Sequence, residues 1–153
     1  MLFRTHLLFS LLIGTLVFQY FDFNPYLFVA LVVIGGMIPD IDKGSSKINN
    51  MLKVTKPISF VTRHRGFFHS LLFGVLIAAI VISYFNKPAG IALLIGFLSH
   101  ILIDGLNHAG VNLIHPLQKL HISGPIETGS LSEHIITIII AIFFLIRMKM
   151  LMF

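Results

Sequence analysis

The chain contains no cysteine, and that absence removes two chemistries at once. Disulfides are excluded, and so are thiolate metal sites and iron–sulfur clusters. Charge is nearly as scarce: Asp, Glu, Lys and Arg make up 11% of the 153 residues, where a soluble domain carries roughly a quarter. So few charges cannot keep 15 phenylalanines and several long Leu/Ile/Val runs in water, and an integral membrane protein is the class that remains. The mean hydropathy of +0.94 agrees. What charge there is leans positive, a formal +5 with 8 histidines in addition. In a membrane chain that excess speaks to topology and to anionic lipid, and no nucleic-acid partner is expected. Any metal site must be built from His, Asp, Glu and water, which suits a divalent ion such as zinc or manganese.

Five apolar runs, residues 7–21, 26–39, 67–85, 91–104 and 135–147, predict a single all-α membrane domain over residues 1–153, a bundle of about five spans. Phe18-Gln19-Tyr20-Phe21 is too bulky for a leader cleavage site, so the first run is read as a retained helix. The second and fourth runs are short for full spans and must include interfacial residues. Polar loops cover residues 40–65 and 105–133. The first carries Lys43, Lys47, Lys53, Lys56, Arg63 and Arg65. The positive-inside rule therefore puts the N-terminus and both loops in the cytoplasm, with membrane lipids as the surrounding partners.

With that alternation, the ionisable residues fall at one end. His6 opens the first run, Asp40 and Asp42 close the second, His64 and His69 open the third, His100 and Asp104 close the fourth, and Glu133 and His134 open the fifth. Groups scattered at random would fall at both ends, so one-sided clustering points to a site. A repeat sharpens it. His6 and His69 each open a helix, Asp40 and Asp104 each close the next, and the turns between are similar, Asp22-Phe23-Asn24-Pro25 and Phe85-Asn86-Lys87-Pro88. Two equivalent helical hairpins plus a C-terminal helix are expected, packed about a pseudo-two-fold axis along the membrane normal.

Each motif has an ordinary alternative. His100 and Asp104 lie four apart on one helix face, where they can share a proton or a metal ion; otherwise they mark a helix end at the water interface. Asp40-Ile41-Asp42 follows Pro39, which ends the helix, and its two carboxylates either hold a cation or balance Lys43 and Lys47. His69 sits about a turn inside an apolar run, where an unpaired ring is unfavourable. Arg63 and Arg65 suit a phosphate, or simply form the cytoplasmic flank of a span. Glu133 is either a further ligand or a partner for its own helix N-terminus. His108, His115 and His121 read as solvated loop residues.

Pro39-Asp40-Ile41-Asp42, then His64-Arg65-Gly66-x-x-His69-Ser70, then Ser99-His100-x-x-x-Asp104 resembles the YdjM family, from His6 to about Pro125. These are inner-membrane proteins described as membrane-bound metal-dependent hydrolases, grouped distantly with zinc-dependent phospholipase C and the fungal zinc nucleases. The resemblance implies that His6, Asp40, His69, His100 and Asp104 stand at ligand positions, with Asp42 and His64 in or beside that set. The phospholipases add a His-x-x-x-Glu helix that Ser130-Leu131-Ser132-Glu133-His134 lacks, so one or two zinc ions are expected rather than three, with Glu133 as a further ligand. The implied reaction is hydrolysis of a phosphoester, on a lipid or lipid-linked substrate at the membrane surface. Asp42 would be the general base, and Arg65 with Arg63 or His64 would bind the phosphate. The competing expectation is a non-catalytic membrane protein with a structural metal site and a basic loop that binds lipid or a partner.

Overall fold

Two helices begin where an asparagine side chain supplies an acceptor for an otherwise unpaired amide. Asn24 Oδ1 accepts from Leu27 N (3.0 Å) and Asn86 Oδ1 from Ala89 N (2.8 Å). Pro25 and Pro88 sit in the first turns, where a proline removes no helical hydrogen bond. The computed structural model describes residues 1–42, 67–115, 117 and 120–152, and these are mostly helical. The helices are α1 (Phe3–Val17), α2 (Pro25–Met37), α3 (Leu71–Tyr84), α4 (Lys87–Gly105) and α5 (Leu131–Met152). Tight 3-10 turns, Phe18–Tyr20 and Ile38–Asp42, prolong α1 and α2, and a third, Phe67–His69, precedes α3.

Helix α4, with 19 residues, and α5, with 22, are long and apolar enough to cross a membrane. Helices α1, α2 and α3 run 15, 13 and 14 residues, short of the ~20 a full span requires. The bounds also differ from those expected. Helix α1 begins before residue 7 and takes in Arg4 and His6. Helix α4 begins at Lys87 rather than 91, because Asn86 caps it and Pro88 starts it. Only 11% of the most apolar stretch of α5 is buried, so Ile138, Ile142, Phe143 and Leu145 face outward. All three tyrosines stand at the ends of α1, α2 and α3 remote from His6 and His100. Tyr20 is 76% exposed, Tyr26 87% and Tyr84 81%, as amphipathic rings are at a membrane–water boundary.

The hairpins α1–α2 and α3–α4 meet chiefly where α2 crosses α4, and glycine permits the approach. A Cβ on Gly96 would collide with the carbonyl oxygen of Val32, and one on Gly35 with that of Leu93. Val32 and Gly96 are equivalent in the two hairpins, each eight residues before an aspartate, and they touch each other. On the third side, Ser10 of α1 and Ser99 of α4 share a hydrogen bond (3.0 Å).

The stretch after α4, expected to lack regular structure, is ordered by a short hairpin. Its strands β1 (Val111–Asn112) and β2 (His121–Ile122) pair antiparallel, Val111 opposite Ile122. Asn107 organises this stretch. Its Oδ1 accepts from Ala109 N (2.9 Å), its Nδ2 donates to Thr128 Oγ1 (2.7 Å), and its carbonyl accepts from Gly110 N and Gly124 N. Val111 is buried against Phe97 and Ile101 of α4, and Leu71 N donates to Leu113 O (2.9 Å), which ties the hairpin to α3.

Candidate metal centre

Pro39 is where the site begins. It has no N–H, so it cannot satisfy Gly36 O in the tight i→i+3 register of the turn that follows α2. The imidazole of His100, brought there by the glycine crossing, occupies that carbonyl instead, with Nδ1 2.7 Å from Gly36 O. A carbonyl can only accept, so Nδ1 carries the proton and the lone pair of Nε2 is left to face Asp104.

Asp104, one turn further along α4, gathers the other groups. Its Oδ1 lies 2.8 Å from the amino group of Met1 and 3.3 Å from His6 Nε2. Its Oδ2 lies 3.6 Å from His100 Nε2 and 3.7 Å from His69 Nε2. Two ligand bonds of about 2 Å each span such separations. The rings of His6 and His100 are stacked, and that of His69 meets His100 edge-on with centroids 5.4 Å apart. Every group is buried: His69 is 0% exposed, His100 1%, Asp104 2%, His6 4% and Asp40 8%.

Two overlapping sets have ligating atoms within 4.8 Å of one another, His6 with His100 and Asp104, and Asp40 with His69 and His100. The donors fit a cation in a further respect. Among the described residues the buried His100 Nε2 has no hydrogen-bond partner, a costly state for a polar atom in an apolar bundle unless something takes up its lone pair. Because the single lone pair of His100 Nε2 is common to both sets, it can serve one ion at a time.

Of the residues the sequence singles out, the structure thus brings His6, Asp40, His69, His100 and Asp104 together. Glu133 is placed otherwise. It is fully buried at the start of α5, but both its oxygens are taken by protein donors. Leu2 N donates to Oε1 at 2.6 Å, Thr5 Oγ1 to Oε1 at 3.1 Å and Gly129 N to Oε2 at 2.6 Å. Ser130 Oγ in turn accepts from Glu133 N (3.3 Å). The spacing Ser130-x-x-Glu133 is that of a helix-capping box, and this is the signal that separates such an acid from a ligand. Asp42 ends the turn after α2, and its side chain, like all of His64 and Arg65, lies outside the described residues. The amino group of Met1, Gly36 O and Asn107 carry no sequence signal for their part in this end of the bundle; each acts through the backbone or through residues remote in the chain.

Fold and site together define a helical membrane protein with a buried cluster of histidine and aspartate at one end of the bundle. The family of the inner membrane protein YdjM matches residues 1–152, and the chain belongs to it. It is 33% identical over 137 residues to the uncharacterized protein YvsG of Bacillus subtilis (strain 168), covering 87% of this chain and 85% of that one. It is 37% identical over 97 residues to the inner membrane protein YdjM of Escherichia coli (strain K12), and equally to that of Shigella flexneri. Those two alignments cover 58% of this chain and 48% of each relative, about half their length. No solved structure matches the chain.

Proposed function

We propose that this protein is a membrane-bound metal-dependent hydrolase of phosphoesters, acting on a lipid or lipid-linked substrate at the cytoplasmic face of the membrane. The single observation that carries the reading is the convergence of three imidazoles and two carboxylates, all buried, from both hairpins. Keeping such groups away from water is costly without a cation or a proton to share. His6, Asp40, His69, His100 and Asp104 are the ligands, and the ion is zinc, one or two per chain. A divalent cation in this set supplies Lewis acidity, activating water near neutral pH and polarising a phosphoryl oxygen.

The protein's own groups do the rest. Gly36 O fixes the tautomer and orientation of His100, as an outer partner does for a ligating histidine. Asp42, two residues on from Asp40 in the sequence, would act as general base, and Arg65 with Arg63 or His64 would bind the phosphate and offset the charge developing on it. All five helices cross the membrane, the shorter three where it is thinned or where their 3-10 extensions reach the interface. The site end faces the cytoplasm with the basic loop 40–65, and the exposed tyrosines mark the opposite boundary. This location is what favours a lipid-borne phosphate over a soluble one.

Purified protein assayed for metal by mass spectrometry, and for phosphodiester hydrolysis with phospholipid substrates, tests the reading. About one or two ions per chain and an activity abolished in His100→Ala are expected. Bound metal without hydrolysis of any lipid or nucleotide phosphoester would leave the structural-site reading instead. That reading draws on the five protein donors, more than the four a closed zinc site uses.

A further inference from the structure

The opposite end of the bundle holds a second site, unconnected with the metal cluster. A cavity of about 520 Å³ opens between α1, α2 and α5, lined by Leu11, Thr15, Val29, Phe144 and Met148, with the exposed Tyr26 at its edge. Its size falls within the ~300–1,000 Å³ of ordinary ligand clefts. Its walls are nearly all apolar, and Met148 is a side chain that adapts to an irregular guest.

Beside it stands a cation held without an acid. Helix α1 gives way after Val17 to the 3-10 turn Phe18–Tyr20, and Arg147 of α5 reaches a carbonyl of its last turn. Arg147 Nε donates to Thr15 O (3.0 Å) and Nη2 to Gln19 Oε1 (3.2 Å). Both acceptors are neutral, and among the described residues no carboxylate pairs with Arg147. The guanidinium is thus oriented on Thr15, a residue that lines the cavity, with no acid to neutralise it among the described residues. Lys87 and Lys149 lie at the same end of their helices, with Asp22 as the one acid there among the described residues. Tyr26, 87% exposed, adds a phenolic donor at the mouth.

We propose that this cavity binds one anionic phospholipid, an acyl chain lying along α1 between α2 and α5 and the headgroup phosphate resting on Arg147. A guanidinium that keeps N–H groups free is suited to phosphate oxygens. The apolar walls match a hydrocarbon chain at the depth where the surrounding solvent is itself hydrocarbon, and the tyrosines place the mouth at headgroup level. The lipid ties the end of α5, few of whose residues are buried, to α1 and α2.

The full-length protein, purified in mild detergent and titrated with phosphatidylglycerol or phosphatidylcholine, reports the site by native mass spectrometry. One phosphatidylglycerol per chain is expected, held at least tenfold more tightly than phosphatidylcholine. Arg147→Gln should remove that preference, and Met148→Trp, which fills the cavity from an accessible position, should lower retention of both lipids. Both variants should keep the metal content of the parent, so that failure here is distinct from failure of the metal reading. Equal retention of the two lipids, retention of neither, or an undiminished preference in Arg147→Gln with helicity intact would overturn the proposal. So would a dimer that Met148→Trp dissociates, since the occupant would then be a second copy.

Discussion

The imidazole of His6 lies flat against that of His100, with ring centroids 3.8 Å apart and planes 8° from parallel. One ring comes from the first turn of α1 and the other from the penultimate turn of α4. His6 turns Nε2 towards Asp104 Oδ1 and His100 turns Nε2 towards Oδ2. The stack therefore places two ring nitrogens against the two oxygens of one carboxylate.

Removing His100 should do two things at once. His100→Ala deletes a ligand common to both candidate sets and leaves Gly36 O without its donor. Metal affinity is expected to fall more than tenfold, since even outer partners of ligating histidines are worth about 10–100-fold. Stability should drop by about 1–3 kcal/mol from the unpaired carbonyl. Isothermal titration with zinc and a thermal melt in detergent measure the two effects; unchanged metal affinity would remove His100 from the site.

Acidification should release the metal. A cation needs the imidazole lone pairs that protons compete for, so affinity falls as pH falls. Equilibrium dialysis against zinc at pH 5, 6, 7 and 8 should show occupancy rising with pH. Occupancy that stays flat across this range would point to a carboxylate-only site.

Glu133→Gln separates a clamp from a ligand. Both oxygens accept from N–H groups, so an amide would turn its own NH₂ towards Leu2 N or Gly129 N. A buried donor facing a donor costs about 1–3 kcal/mol. The variant is expected to melt several degrees lower, and to weaken zinc binding only through a displaced α1. Weakened binding at unchanged melting temperature would instead make Glu133 a direct ligand.

The glycine crossing gives a matched pair of substitutions. Gly96→Ala forces α2 away from α4, because its Cβ would meet Val32 O and the amide of Gly36, both backbone atoms that cannot rotate aside. A loss of about 1–3 kcal/mol is expected from overpacking, together with weaker metal binding as Gly36 O moves from His100. Gly105→Ala, where the nearest atom is Ile122 Cγ2 at 3.8 Å, is expected to be neutral or slightly stabilising. Equal melting temperatures for the two would show that the crossing tolerates a wider spacing.

Much of the arrangement is local and therefore legible in the chain itself. Long apolar runs poor in charge read as helices, and five helices are what the chain forms. Asparagine and proline fix where two of those helices begin. Residues four apart must share a helix face, so His100 and Asp104 lie together whatever else the chain does. Alternation of direction along successive helices gathers His6, Asp40, His69 and Asp104 at one end.

What tertiary structure alone decides is which of two available partners each polar group takes. Glu133 carries a side chain able to ligate or to cap, and only packing brings Leu2 N and Gly129 N to its two oxygens. The proton position on His100 depends on Gly36 O, which reaches the ring because two glycine-lined helices cross, a contact between residues 64 apart. The stretch after α4 shows no period, yet Asn107 orders it by bonding across 21 residues to Thr128. Composition and spacing act over a turn or two of helix; hydrogen bonds in an apolar bundle are completed by whatever donor packing delivers, and packing is a property of the whole chain.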